Sequence, residues 1–178
     1  MIRLAIVEDD SFLLSTLNLV LQNEEDIDVV GLFSNPEEAL LHIPLLSPDI
    51  VMMDLDFGPS NMTGIDCITR LKAVDSNILF LILTIFEDHD KVFNALAAGA
   101  MGYILKTSSK DKIIEALHEL QEGGSPMTYS IARKITLSFT ENSSKSTPGS
   151  FEKILTTREK EVILLIIKEG WKRKSLLT

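Results

Sequence analysis

Five short apolar runs limit what this chain can become: IRLAIV (2–7), IDVVGLF (27–33), DIVMMDL (49–55), NILFLILT (77–84) and MGYILK (101–106). Each has the length of a strand and is continuous rather than alternating, the pattern of strands covered on both faces. Between them lie segments of helical period. In SFLLSTLNLVLQNEED, Leu13, Leu14, Leu17, Val20 and Leu21 share a stripe, and in KDKIIEALHELQEGG so do Ile113, Ile114, Leu117 and Leu120, with Gly123 placed to end the helix. Strand and helix thus alternate five times. The expected fold is α/β, a five-stranded parallel sheet, doubly wound, because right-handed helical crossovers are what joins parallel strands. In such folds reactive groups gather at the carboxyl ends of the strands.

At 178 residues the chain holds one full domain and a smaller unit. With 45% hydrophobic and 24% charged residues it is expected to fold rather than remain disordered. No apolar run approaches the ~18 residues that suggest a bilayer span, so no membrane contact is expected and the predicted location is cytoplasmic. Cys67, the single cysteine, excludes an internal disulfide and reads as a small buried hydrophobe. The net charge of −9 is unevenly spread: residues 1–122 carry 7 Lys and Arg against 21 Asp and Glu, while the remainder carries 10 against 5. An acidic front part can hold a cation.

The pattern changes after Gly124. SPMTYSIARKITLSF reads as one more helix, with Ser125 as cap and Pro126 in the first turn. TENSSKSTPGS (140–150) has a linker's content of Ser, Pro and Gly, and LTTREKEVILLIIKEG (155–170) returns to helical period. The expected division is a first domain over 1–123, helix and linker over 124–150, and a helical fragment over 151–178.

The chemistry sits just past the strands. The first run ends in Glu8-Asp9-Asp10, the third contains Asp54 and Asp56, the fourth ends in Thr84 and the fifth in Lys106. A parallel sheet brings all of these to one edge, where clustered carboxylates need a compensating cation. Mg²⁺ suits them, being a hard ion that prefers oxygen and keeps open positions for water and phosphate. Lys106 adds a fixed positive charge and Thr84 a hydroxyl donor, and a carboxylate so placed can itself attack phosphorus to form an aspartyl-phosphate. Asp10 reads as a helix cap beside the site.

Two families with this chemistry resemble parts of the chain. Asp54-Leu55-Asp56 is similar to the first motif of haloacid-dehalogenase-type phosphatases, but there the completing acidic pair follows the lysine. Acids on the first strand, Asp on the third, Thr on the fourth and Lys on the fifth resemble the receiver domain of two-component response regulators, over residues 1–123. That resemblance implies a flavodoxin-like (βα)5 fold and a phosphoryl group accepted from a sensor histidine kinase. It makes Asp54 the phosphoacceptor and Glu8 and Asp9 the metal-binding pair, with Asp56 reaching the metal through its backbone carbonyl. Thr84 matches the switch hydroxyl, Lys106 the phosphate-pairing lysine and Tyr103 the switch aromatic, which reads equally as a half-buried aromatic at the sheet edge. The implied switch surface surrounds the fourth helix and fifth strand, and receiver helices offer a homodimer contact. A receiver that only docks partners is the other reading.

The pattern is not followed everywhere. Receivers usually place a proline four and a glycine eight residues after the phosphoacceptor, whereas here Pro59 comes five after and Gly64 ten after, a loop two residues longer. Ile85 stands after Thr84 where the family favours a small residue, and Thr107 replaces the common proline after the lysine.

The segment 155–170 resembles the opening of the LuxR-type helix-turn-helix of NarL/FixJ regulators, in which the last of three helices reads DNA. Eight residues, Trp171 to Thr178, follow it, too few for two helices averaging about 11 residues each. The expectation is an incomplete helical output domain without sequence-specific DNA binding, its tail the product of a shifted reading frame or simply an end.

Overall fold

The structure, a computed structural model, describes residues 1–58 and 62–145, with side chains through residue 137. Five strands, β1 (Ile2–Val7), β2 (Ile27–Phe33), β3 (Ile50–Met53), β4 (Leu79–Thr84) and β5 (Gly102–Leu105), form one parallel sheet. The helices between and after them are α1 (Ser11–Leu21), α2 (Pro36–Leu46), α3 (Gly64–Val74), α4 (His89–Ala97), α5 (Lys110–Gln121) and α6 (Tyr129–Lys145). Each expected strand is present, the last three one or two residues shorter at their ends than the apolar runs. Residues 1–135 form one compact unit; of the second, from Thr136 onward, the continuation of α6 to Lys145 is described.

The continuous apolar runs are explained by two cores, one on each face of the sheet. Ala5, Val7, Val51, Met53, Phe80, Ile82, Tyr103 and Leu105 point to one face, where Ile43 of α2, Ile68 and Leu71 of α3 and Val92 of α4 cover them. Leu4, Ile6, Ile50, Met52, Leu81, Leu83 and Ile104 point to the other, against Leu17 and Leu21 of α1 and Ile113, Leu117 and Leu120 of α5. Successive strand residues face opposite ways, so both faces of the central strands are apolar except near their ends, at Arg3 and Thr84. Cys67 lies fully buried in the first core, its thiol pushed up to about 12 by burial first, as an inert hydrophobe would be.

Strand order is β2-β1-β3-β4-β5, so the chain reverses its direction of winding between β1 and β3. A crevice opens at such a point, because the connections leaving the two neighbouring strands go to opposite faces. Local sequence sharpens the helix starts around it. The Asp10 side chain accepts the N–H groups of Phe12 and Leu13, the Asp88 side chain those of Asp90 and Lys91, and Thr63 and Asp66 form a capping box at α3. Each such cap contributes about 1 kcal/mol.

The region after α5 departs from the sequence expectation. Ser125 and Pro126 do not start a helix: α6 begins at Tyr129, and the stretch before it runs beside β5. Tyr103 N–H donates to Pro126 O at 2.9 Å and Thr128 N–H to Tyr103 O at 3.1 Å. The exposed edge of β5 offers unpaired backbone groups, and satisfying them outweighs the local preference of Pro126 for a helix's first turn. At the other end α6 continues through Lys145, so the first residues of the expected linker, from Thr140, are helical. The remainder of the linker and the segment resembling a helix-turn-helix lie outside the described residues.

Candidate functional site

Glu8 and Asp9 follow β1 directly and Asp54 follows β3, so the reversal point in the strand order places them side by side. One carboxylate oxygen from each of the three lies within 4.8 Å of the others. Glu8 and Asp54 are buried, with 1% and 5% of their surface exposed, while Asp9 faces solvent. Lys106, one residue past β5, reaches into the group: its Nζ is 2.7 Å from Glu8 Oε1 and Oε2 and 2.7 Å from Asp54 Oδ2.

The charges do not balance. Three carboxylates face one ammonium, and burial raises the cost of every uncompensated charge. Glu8 shows the consequence: burial, the largest influence, pushes its pKa above the usual carboxylate range, repulsion from Asp54 adds to this, and the Lys106 hydrogen bond opposes it. Burial works against the Lys106 charge too, but the hydrogen bonds it donates to Asp54 and Glu8 outweigh it, and its pKa is raised. A divalent cation held by oxygen ligands would supply the missing charge, and the all-carboxylate donor set fits Mg²⁺ in chemistry and number.

The backbone around Asp54 is tightly held. Its N–H donates to Val7 O at 3.0 Å, extending the β1–β3 ladder by one residue. Its Oδ1 accepts the N–H of Leu55 at 2.6 Å, which leaves Oδ2 directed at Lys106. The first residue of α3 packs directly on this bend: a Cβ at Gly64 would stand 2.0 Å from Asp54 O and 3.0 Å from Leu55 Cα. No side chain is tolerated at such a distance, so glycine here is a requirement of close approach. The glycine ten residues after Asp54 is therefore explained, whereas Pro59 lies outside the described residues.

Asp56 is exposed and its carboxylate stands apart from the acidic group, accepting the Gly58 N–H at 3.1 Å and lying 3.9 Å from Lys91 Nζ. Thr84 ends β4 on the same edge of the sheet and is fully buried; its carbonyl accepts the Lys106 N–H at 2.9 Å, and its Oγ1 accepts the Phe86 N–H at 3.4 Å. Ile85 points outward with 69% of its surface exposed. Tyr103 corrects the expectation of a half-buried aromatic at the sheet edge. It is completely buried, covered on the edge side by the 124–128 stretch, and its hydroxyl donates to Phe86 O at 3.0 Å.

Sequence reasoning missed the residues that hold the connection between β4 and α4. Lys91 Nζ lies 3.1 Å from the centroid of the Phe86 ring, and Lys134 of α6 binds Glu87. Nothing local marks Lys134, because its partner lies 47 residues away on another element.

Comparison with known proteins agrees with this fold. The sequence model of the response regulator receiver domain matches residues 4–118. The transcriptional regulatory protein LiaR of Bacillus subtilis (strain 168) is 31% identical over 176 residues, which cover 99% of this chain and 81% of LiaR. The oxygen regulatory protein NreC of Staphylococcus aureus (strain JH9) is 27% identical, over 98% of this chain and 80% of its own. Among solved structures, a LuxR-family two-component response regulator from Aurantimonas sp. SI85-9A1 superposes with a TM-score of 0.73 at 24% identity, over 79% of this chain and 99% of that one, a likeness of fold.

Proposed function

We propose, because this chain belongs to the response regulator family through its receiver domain, that Asp54 is the residue on which it accepts a phosphoryl group from a histidine kinase. Phosphoryl acceptance is the family's general function. The observation that carries the assignment to Asp54 is its setting: a buried carboxylate at the strand-order reversal, grouped with Glu8 and Asp9 and bonded through Oδ2 to Lys106.

An oxygen of the Asp54 carboxylate attacks the phosphorus of the donor; a new P–O bond forms as the bond from phosphorus to the donor nitrogen breaks, and the departing imidazole takes the electron pair. Glu8, Asp9 and Asp54 would hold Mg²⁺, with the backbone carbonyl of Asp56 as a further ligand. When bound, that ion neutralises charge on the transferring oxygens. Lys106, already at Asp54, offers its ammonium to the oxygens of the new phosphoryl group, and the Thr84 hydroxyl turns toward them as a donor. Such a turn takes Oγ1 from the Phe86 N–H and draws the end of β4 inward. Tyr103, whose hydroxyl holds Phe86 O, adjusts with it, and the surface of α4 and β5 is the one that changes.

The role is signalling, with self-catalysed phosphotransfer and dephosphorylation rather than turnover of a substrate pool. Receiver helices provide the surface for a homodimer. The test is incubation with acetyl phosphate and Mg²⁺ followed by intact mass: one phosphoryl group is gained by the wild-type chain and none by Asp54→Asn. Absence of gain in the wild type would leave a receiver that only docks partners.

A further inference from the structure

Helix α6 is tied to the loop between β4 and α4 through Glu87, which both Lys134 and Ser130 bond, and to the core through Ile131 and the partly buried Ile135. Ile131, in its first turn, is completely buried in the same core as Tyr103 and Val92. One turn later Lys134 Nζ donates to Glu87 O at 2.6 Å and to Glu87 Oε2 at 2.9 Å. That hydrogen bond, the largest influence, lowers the Glu87 pKa from the usual carboxylate value. The two attachments differ in kind: apolar burial of Ile131 is indifferent to small sliding, whereas a pair of charge-assisted bonds depends steeply on distance.

The bonded loop is the one the site pulls on. Consecutive carbonyls carry its anchors, Phe86 O accepting from Tyr103 of β5 and Glu87 O from Lys134 of α6, while the Phe86 N–H rests on Thr84 Oγ1. If Thr84 turns inward, the peptide between Phe86 and Glu87 loses its hold on the strand end and moves away from one or both anchors. Lys134 is the weaker one, since it is partly exposed and water can replace its partners, while the buried Tyr103 hydroxyl has no such substitute.

We propose that α6 reports the state of Asp54: the Lys134–Glu87 latch belongs to the unphosphorylated state, and phosphoryl uptake opens it, loosening the first turns of α6 on the loop while Ile131, Ile135 and the 124–128 stretch stay seated. This coupling rests on the phosphoacceptor reading of Asp54. It requires no contact between α6 and the site, only a loop with two positions that both influence. Because coupling free energies are reciprocal, breaking the latch favours the occupied site.

The test uses the whole chain with Mg²⁺ and acetyl phosphate, intact mass and amide hydrogen exchange being read on the same sample. In the wild type a gain of one phosphoryl group accompanies faster exchange over 132–135 and unchanged exchange over 124–128. In Lys134→Met and in Lys134→Ala, which remove both bonds to Glu87, exchange over 132–135 is fast before the donor is added, and beryllofluoride with Mg²⁺ binds about fivefold more tightly, a coupling at the lower end of the common range. Arg133→Gln, which alters the neighbouring exposed cation, behaves as the wild type. A mass gain without change over 132–135, or latch variants with wild-type exchange and beryllofluoride affinity, overturns the coupling alone. No mass gain in the wild type overturns the phosphoacceptor reading and the coupling together.

Discussion

The chain after β3 and the chain after β4 flank the same acidic group but are held in different ways. After β3, Asp54 is fixed by backbone: its N–H continues the ladder to Val7, and Gly64 rests against its carbonyl with no room for a methyl group. After β4, Phe86 and Glu87 are held by single side chains from β5 and α6 and by the Lys91 ammonium over the Phe86 ring. Close backbone packing is stiff, whereas individual hydrogen bonds at a partly exposed loop exchange readily with water. One flank therefore keeps Asp54 in place, and the other can respond to what is bound there.

Substitutions on the stiff flank should cost stability, and the largest effect belongs to Gly64→Ala. Its Cβ meets the Asp54 carbonyl, so urea unfolding should show a loss of about 3 kcal/mol, the upper part of the range for overpacked sites. A loss under about 1 kcal/mol would mean that α3 can slide and that the contrast is overstated.

Lys106→Met comes next. Removing the ammonium leaves Glu8 and Asp54 buried without their partner, a change that costs several kcal/mol where water is excluded and about 2 kcal/mol at this slightly open site. With Mg²⁺ present part of that loss should return, read as a rise in midpoint denaturation temperature that chelator abolishes.

Tyr103→Phe tests the responsive flank, and there the expected cost is about 1 kcal/mol, the worth of an ordinary hydrogen bond. A cost as large as that of Gly64→Ala would show the β4–α4 loop to be as rigid as the β3–α3 bend.

Glu8 in the acidic group after β1 and Glu87 on the flank after β4 predict opposite responses to acid. The folded-state pKa of Glu8 lies above its ordinary 4.5, so above pH 4.5 the folded chain binds more protons than the unfolded one, and stability falls as pH rises through the folded value. The pKa of Glu87 is lowered, so its contribution is present above pH 4.5 and is lost as pH falls through its folded value. In metal-free buffer Glu8→Gln should flatten the slope of stability above pH 4.5, and Glu87→Gln should flatten the smaller slope below it. Exchange of those two windows would refute the assignment of cause.

Much of this is legible in the sequence. The continuous apolar runs specify strands with two covered faces, and Val51 and Met53 do face one core while Met52 faces the other. Asp10 reads as a cap because a carboxylate before an apolar helical stripe has N–H groups within its own reach, and it takes two of them. The start of α6 was misread for the converse reason: Ser125-Pro126 carries a good local helix signal, but the unpaired edge of β5, some twenty residues back, competes for the same backbone. For Tyr103, the sequence expectation of half-burial failed because the covering stretch was assigned to a helix.

Within the described residues no helix is long and apolar enough to cross a membrane. By itself the sequence determined the class of fold and the set of chemical groups at its carboxyl edge, since both follow from periodicity and from order along the chain. Only the tertiary structure decided how those groups are held: that Lys106 bridges Glu8 and Asp54, that Gly64 must be bare, that Tyr103 turns inward, and that Lys134 reaches Glu87. These contacts join residues 98 and 47 positions apart in the cases of Lys106 with Glu8 and Lys134 with Glu87. At such separation a side chain's partner depends on how whole elements pack, and no local pattern encodes that.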